Sequence, residues 1–504
     1  MRRFILVLIG VGAITSTAAQ KPAPAPMPNV TFKAISRLVL LDVVVTDLNH
    51  QFVSGLTQKD FTILEDGKEQ QIVSFEAPAA HPQNPISGSQ APVTIFVLDE
   101  LNTNFHDMAF AREQLLRYLR RQPEHLQEPS ALILIDSTQF KVLHEFSRDR
   151  EALLEALKKH EPRLPWKLKN GAITDRLARS LVGLQEIAAA TMGIPGRKNV
   201  IWVGVGFPAL NLIGVHEDIK TTIENAVNRT VNRLLEARVS MYPIDPTLMT
   251  SARKSAAIDS GDPDTGAFAD LDNDPFDTDV NLALFGPATG GRSYHWRNDI
   301  ADVIQTSIAD GSEYYTMAYV PSNRSEDPKF RSIRIKMRPG LIARTRDGYY
   351  PIEPPLTKDM VAVDLLQAAE NTLSYTGLPI SITGKNQGDD AACTLYVDAH
   401  ALTWQTLPNG DSQTTVRIGM ASFSSDGKRL AYDVKEMSST TPAAKFNALM
   451  EQPVSFPVQV QLPRKVARLR FVVRDEATGH MGTVDVDPAN IPAVAQVPKP
   501  RAGS

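Results

Sequence analysis

The chain has 504 residues, of which 42% are hydrophobic and 22% charged, and its formal net charge is −4. That length exceeds what one hydrophobic core supports and predicts about three domains of roughly 100–200 residues each. A mildly acidic chain without a basic stripe argues against nucleic-acid binding.

The N-terminus has the pattern of a secretory signal. Arg2 and Arg3 precede an apolar run, residues 4–14, which is too short to cross a bilayer core of about 30 Å. Small residues favour cleavage after Ala19, so residues 1–19 are predicted to be a signal peptide. An uncleaved membrane anchor is the alternative. No later segment is apolar enough to span a membrane, so we expect an exported protein of the periplasm, the outer surface or the medium.

The next segments predict a spacer, a β module and a linker. Residues 20–29 form a Pro/Ala spacer. Residues 30–77 are rich in β-branched residues and contain a hairpin turn at Asp66, which predicts an N-terminal β module. Residues 78–91 are rich in Pro and Ser and are predicted to be a linker.

From Pro92 onwards the pattern changes to buried strands that alternate with amphipathic helices. Continuous apolar runs predict strands covered on both faces, and they lie at residues 93–98, 131–135, 200–205 and 239–244. This alternation predicts an α/β domain at residues 92–350, with a mostly parallel sheet, helices on both faces and a terminal hairpin around Pro339-Gly340.

The C-terminal part returns to strand patterns separated by polar turns. It predicts a C-terminal β-sandwich at residues 360–490 and a disordered tail at residues 491–504. The single cysteine, Cys393, stands in a strand-like run. A buried core thiol is favoured there over a reactive one.

Several segments spread over residues 38–350 carry a family resemblance. They read VVVTDLNHQFVSGLTQKDFTILEDGKEQQIVSF, VTIFVLDELNT, GRKNVIWVGVGFP, YPIDP, ATGGRSY, EYYTMAYVP and RPGLIARTRDGYY. In these segments the chain resembles the von Willebrand factor A-related (VWFA-related) family, which is typical of exported proteins of acidobacteria. The resemblance implies an A-type, Rossmann-like α/β domain with an N-terminal β module. It implies no well-defined activity.

The resemblance also implies a place for a metal site. A-type domains commonly hold Mg²⁺ with a D-x-S-x-S motif after the first strand, because a carboxylate and hydroxyls are the hard oxygen ligands that this ion takes. Here Asp99 matches the carboxylate and Thr103 stands for the second Ser, but Leu101 replaces the first. Thr174 is a candidate for a later Thr position, and the loop ending at Gly206 lacks the usual Asp.

At least two ligands of such a site are therefore missing. The sequence favours a structural interpretation, in which Asp99, Asn102 and Thr103 hydrogen-bond backbone groups and shape the loop. A degenerate Mg²⁺ site, in which Glu100 or Asn102 compensates, is the alternative. We expect no cofactor.

Three further patterns in the sequence favour structural interpretations over binding sites. The spacing of Asp270, Asp272 and Asp274 is that of a Ca²⁺ loop, but Pro275 and Asn281 replace the required Gly and Glu, so a solvated acidic loop is favoured. Gly204-Val205-Gly206 lacks the third Gly of a dinucleotide site. Five tyrosines close to the end of the α/β domain favour sheet packing over a ligand platform, and they are Tyr314, Tyr315, Tyr319, Tyr349 and Tyr350.

These observations predict a non-enzymatic binding protein. We expect the strand-end loops around Asp99, Thr174 and Gly206 to bind a protein or an envelope component, since ligands of open α/β sheets sit at the carboxyl ends of strands. A structural subunit of an envelope assembly, paired through the edges of its β modules, is the alternative. A hydrolase is disfavoured because the sequence contains none of the common nucleophile, zinc-peptidase or phosphate-loop motifs.

Overall fold

The computed structural model describes residues 38–78, 92–136, 140–161, 173–207, 209–247, 274–325 and 327–493. The predicted signal peptide and spacer, and most of the predicted linker and tail, lie outside these residues, as do Asp270 and Asp272 of the acidic loop. Within the described ranges, no helix is long and apolar enough to cross a membrane.

The elements are numbered in chain order. The strands are β1 (Val39–Asp47), β2 (Thr62–Glu65), β3 (Lys68–Gln70), β4 (Ile72–Glu76), β5 (Val93–Asp99), β6 (His125–Ile135), β7 (Phe140–Asp149), β8 (Lys198–Val203), β9 (Leu210–Asn211), β10 (Val239–Ile244), β11 (Asp279–Val280), β12 (Tyr315–Tyr319), β13 (Arg331–Lys336), β14 (Leu341–Arg344), β15 (Gly348–Tyr349), β16 (Ile380–Asn386), β17 (Asp390–Val397), β18 (Gln405–Thr406), β19 (Ser412–Ser424), β20 (Arg429–Thr441), β21 (Val454–Gln461), β22 (Val466–Asp475) and β23 (Met481–Val486). The α-helices are α1 (Phe105–Arg121), α2 (Arg150–Lys159), α3 (Ile173–Thr191), α4 (Glu217–Glu236), α5 (Phe285–Ala288), α6 (Ile300–Ser312), α7 (Lys358–Glu370) and α8 (Phe446–Met450).

A five-stranded sheet carries the α/β part of the chain. Its order is β10-β8-β5-β6-β7, with four parallel strands and the antiparallel β7 at one edge. All seven residues of β5 are buried, because its side chains alternate between two cores. Phe96 and Leu98 pack with α1, α2 and α6, whereas Ile95 and Val97 pack with α3 and α4.

Short polar side chains cap the starts of two helices in this layer, α1 and α2. Asn104 precedes α1 and accepts from the backbone N–H of Asp107. Asp149 precedes α2 and accepts from the backbone N–H groups of Glu151 and Ala152. Such caps satisfy donors that have no partner within the helix, so they set the direction in which each helix leaves its strand.

The strands that precede and follow the α/β layer share their sheets. One sheet has the order β14-β1-β12-β4 and another the order β15-β13-β2-β3. The described strands of the predicted N-terminal module (30–77) therefore find partners at residues 315–344. The predicted hairpin around Pro339-Gly340 is wrong in its pairing: β13 pairs with β2 and β15, and β14 pairs with β1. Each of β13 and β14 thus pairs with a strand from the N-terminal part of the chain and not with the other.

A partly buried charged network joins this β layer to the α/β sheet. The Asp42 carboxylate of β1 accepts from Nη2 of Arg238 at 2.5 Å and from Oγ1 of Thr316 at 3.0 Å. Burial by itself would raise the pKa of Asp42, but the charge and hydrogen bonds of Arg238 lower it overall. Arg344 bonds Asp310 in the same region. The bonds of Arg238 fix the start of β10 against β1 and β12, and the Arg344–Asp310 pair joins β14 to α6.

The tyrosines near the end of the α/β layer are all buried, and the prediction that they pack against sheets is confirmed. Tyr319 and Tyr349 donate to the buried carboxylate of Glu65 at 2.6 and 3.0 Å. Tyr350 donates to Asp274, the one member of the acidic triplet that is described. These side chains form no exposed ligand platform.

The C-terminal part begins with a helix where the sequence pattern predicts strands. In α7, Val361, Leu365 and Ala368 pack into the core formed by α3 and α4, so the predicted boundary at residue 360 falls inside a packed helix. Beyond it, the sheet β16-β17-β21 and the sheet β18-β19-β22-β23, to which β20 adds through β19, enclose a third core. Cys393 is buried in that core, as predicted, and burial raises the pKa of its thiol to about 11.

Candidate functional site

The four parallel strands end at one edge of the central sheet, here called the carboxyl edge. At this edge β5 ends at Asp99 and β6 ends at Ile135. The backbone N–H groups of Glu100 and Leu101 both donate to the carbonyl of Ile135, at 2.9 and 3.0 Å. The Leu101 side chain is buried in the core with α3 and α4. The residue that replaces the first Ser of the metal motif is therefore a core residue.

The Asp99 carboxylate is fully buried and is surrounded by N–H donors. Its Oδ1 accepts from the backbone N–H of Asn102 at 3.0 Å, and Nδ2 of Asn102 lies 3.1 and 3.0 Å from the two oxygens. Nε1 of Trp202 donates to Oδ2 at 3.2 Å, and the backbone N–H of Gly206 donates as well. Burial raises the pKa of Asp99, and these bonds offset part of the rise. Donors thus occupy the directions in which a cation would approach.

Thr103 and the glycine-containing loop after β8 lock together beside Asp99. Oγ1 of Thr103 accepts from the backbone N–H of Val205 at 3.0 Å. A Cβ on Gly204 would stand 2.4 Å from Cβ of Asp99 and 2.8 Å from Oγ1 of Thr103. Gly206 adopts a φ of +73°, and a Cβ there would stand 2.6 Å from Cβ of Leu282. The loop carries glycines because no side chain fits between these groups.

Asn102 connects this loop to α3, but through a residue that the sequence did not single out. Its Nδ2 lies 3.1 Å from Oγ of the fully buried Ser180. The predicted Thr174 lies exposed in the first turn of α3, about 9 Å from Ser180 along a helix that rises 1.5 Å per residue. The structure therefore brings Asp99, Asn102, Thr103 and Gly206 together and leaves Thr174 outside the cluster.

The side chains of Asp99, Asn102 and Thr103 are hydrogen-bonded to one another or to neighbouring backbone groups. Every oxygen that the motif would offer to Mg²⁺ from Asp99 and Thr103 accepts an N–H of the same chain. Among the residues described, no group of three or more His, Cys, Asp and Glu side chains is placed to hold a metal ion. The geometry can fix three loops against one another.

Sequence reasoning missed a buried acid–imidazole pair next to this cluster. Nε2 of His160, directly after α2, lies 2.6 Å from Oε1 of Glu100. Both residues are largely buried, with side chains 10% and 4% exposed. His160 also lines a cleft of about 770 Å³ between β7 and α2, together with Asp136, Lys141 and His144. Sixty residues separate the pair in sequence, so no local motif indicates it.

Large apolar side chains are exposed around the same edge. Phe105 at the start of α1 and Val205 after β8 are 45% and 39% exposed. Ile213, just before α4, is 74% exposed, and Ile219 in its first turn is 52% exposed. Ile219 also lines an apolar cleft of about 390 Å³ between α3 and α4, which Thr174 borders. The exposed rim of the carboxyl edge is thus apolar at four points, while its interior is hydrogen-bonded.

Comparison with known proteins finds similar solved structures and no matching family model. The chain is similar to the protein of "Crystal Structure of the SpRpn10 VWA domain", with 17% sequence identity, over 34% of this chain and 82% of that one. The TM-score is 0.19, a value at which the likeness carries no argument about function. No family model matches the chain, and no curated protein matches it. The mixed α/β fold therefore rests on the sheets and helices described above.

Proposed function

We propose that this chain is an exported, non-enzymatic binding protein that holds a protein or envelope component at the carboxyl edge without a metal ion. The observation that carries the proposal is the set of large apolar side chains exposed there, which are Phe105, Val205, Ile213 and Ile219. Apolar side chains gathered at one place on a surface mark contact sites, whereas single scattered ones are ordinary.

Topology explains why these residues gather. Phe105 follows the end of β5 and Val205 follows the end of β8, and parallel neighbouring strands end on the same side of the sheet. Ile213 and Ile219 belong to the connection into α4, which begins at that side and returns the chain to the start of β10. Two strand-to-helix connections thus contribute to one surface, at the position where open α/β sheets bind ligands.

Metal independence follows from the bonds of Asp99. A carboxylate that accepts from Asn102, Trp202 and Gly206 has no lone pair directed at solvent for a cation that demands near-octahedral oxygen ligands. The interior of the edge instead fixes the loops, so that the apolar rim is presented on a rigid base. Rigid presentation lowers the ordering cost of binding.

The assignment to the VWFA-related family, with β-sandwich modules on both sides of an A-type domain, belongs to the same proposal. It is supported by the quoted sequence segments and by the sheet order β10-β8-β5-β6-β7 with helices on both faces. Export is supported by the charge and apolar pattern of residues 1–19.

Site-specific photo-crosslinking tests the docking surface. A photoreactive residue at Ile213 or Ile219 should give a discrete adduct in cells that make the protein. The matched controls are Leu48, 70% exposed in the turn after β1, and Val363, 50% exposed on α7, which should give none. EDTA should leave the adducts at the carboxyl edge unchanged. Equal adducts at all four positions, or none at the two edge positions, would contradict the proposal.

A further inference from the structure

Strand β20 is a long strand with one free edge. It has thirteen residues and pairs with β19 on one side. No strand within the described residues pairs with its other side. A free edge presents a row of backbone N–H and C=O groups, which is a template for pairing with another chain.

In the middle of β20, a backbone N–H group at the free edge is hydrogen-bonded to a side chain of the same strand. The backbone N–H of Val434 donates to Oδ1 of its own neighbour Asp433 at 2.9 Å. That N–H therefore points away from β19, and because the N–H and C=O of one residue in an antiparallel strand point the same way, so does its carbonyl. The Val434 side chain is 37% exposed, and Asp433 and Lys435 are exposed on either side of it.

The sequence of β20 is self-complementary about Val434. In a two-fold antiparallel pair centred there, Val434 faces Val434 of the second copy, and Asp433 faces Lys435 twice, since the symmetry repeats every contact. Registers centred on Asp433, Lys435 or Glu436 place like charges opposite each other, which is destabilising. Registers centred nearer either end overlap fewer residues, whereas the Val434 register overlaps residues 429–439.

We propose that two copies of this chain associate through β20, as a two-fold antiparallel pair centred on Val434. The two Val434 residues exchange N–H···O bonds across the axis, as hydrogen-bonded antiparallel pairs do. Asp433 then leaves the N–H of Val434 and pairs with Lys435 of the second copy. The two sheets that contain β19 become one continuous sheet. The carboxyl edge takes no part in this pair, so the proposed dimer and the proposed function are independent of each other.

The alternative is that the charges of Asp433 and Lys435 prevent β20 from pairing with another chain and keep the protein monomeric, as charges on edge strands often do. Sedimentation velocity of the full chain over a concentration series separates the two. A monomer–dimer equilibrium supports the proposal, and a monomer at every concentration overturns it.

Disulfide crosslinking tests the register. In the proposed dimer the two copies of residue 434 have Cα atoms about 5.5 Å apart, within the range of about 4.4–6.8 Å that a disulfide spans. Val434→Cys should therefore give a covalent dimer under mild oxidation. In Ser438→Cys, also on the exposed part of β20, the two sites are about 27 Å apart and should not crosslink. The natural Cys393 is buried and does not interfere. Equal crosslinking of both variants would refute the register.

Charge reversal tests the pairing itself. Asp433→Lys and Lys435→Asp each place like charges opposite each other at two symmetric positions and should weaken association roughly tenfold. The double variant restores opposite charges and should restore association, provided that its melting midpoint matches the wild type. If the double variant associates no better than either single variant, the two residues do not face each other.

Discussion

Replacing Asp99 by Ala is the most informative single change at the carboxyl edge, because the metal-bound and metal-free interpretations predict different results. In the structure, the carboxylate accepts from the backbone and side chain of Asn102, from Trp202 and from Gly206. A buried donor left without a partner costs about 1–3 kcal/mol. Removing a buried carboxylate whose pKa is raised also removes part of its desolvation cost.

We expect the free energy of unfolding to fall by about 3 kcal/mol in Asp99→Ala, and the melting midpoint to fall by roughly 5–10 °C. Thermal melts in EDTA and in Mg²⁺, Mn²⁺ or Ca²⁺ should give the same difference. The control Asp302→Ala removes an exposed carboxylate paired with Arg121 and should change stability by less than about 0.5 kcal/mol.

The reasoning would be refuted by an ion that stabilises the wild type alone. An ion present at about 100 times its dissociation constant adds about 2.7 kcal/mol. A rise of that size with Mg²⁺ or Mn²⁺, lost in Asp99→Ala, would show that the carboxylate binds metal. An Asp99→Ala variant as stable as the wild type in EDTA would show that its hydrogen bonds do not hold the loops.

Two further changes test the loop packing and the buried network. Gly204→Ala should cost about 1–3 kcal/mol, because the new Cβ would stand 2.4 Å from Cβ of Asp99; Gly419→Ala, whose nearest contact is 3.4 Å, should cost less in the same melts. Asp42→Asn should lower stability by about 1–3 kcal/mol at pH 7, because the partly buried charge of Arg238 loses its carboxylate partner. Since the folded pKa of Asp42 is lowered, the wild type gains this stability above the unfolded pKa of about 3.9 and loses it as pH falls through the folded pKa. The difference in stability between the wild type and Asp42→Asn should therefore become smaller below about pH 4. A difference that stays constant down to about pH 2 would contradict this assignment of the Asp42 pKa.

Sequence patterns predicted the parts of the fold that depend on local order. The continuous apolar run at residues 93–98 predicted a strand buried on both faces, and β5 is buried throughout. Because the strands on either side of it are parallel, the loops carrying Asp99 and Gly206 had to meet at one edge. Their meeting could therefore be expected before their hydrogen bonds were known.

What the sequence did not predict depends on distant partners. The register of β1 against β12 places Asp42 opposite Thr316. No pattern in the sequence around either residue indicates which distant strand it pairs with. Strand β7 has polar residues at most positions and covers an edge, so it lacks the apolar run of its neighbours. Helix α7 was missed although Val361, Leu365 and Ala368 follow the helical period, a signal that was available in the sequence.

The pairing of β1 with β12 also determines when β1 can fold during synthesis of the chain. Asp42 and Thr316 are 274 residues apart, and ribosomes add about 5–20 residues per second, so β12 emerges roughly 15–55 s after β1. During that interval β1 has no partner strand, while β5, β6 and β8 are already available to each other. Strand β1 is therefore made early and paired late. A nascent chain stalled before residue 315 would expose β1 to chaperones and proteases.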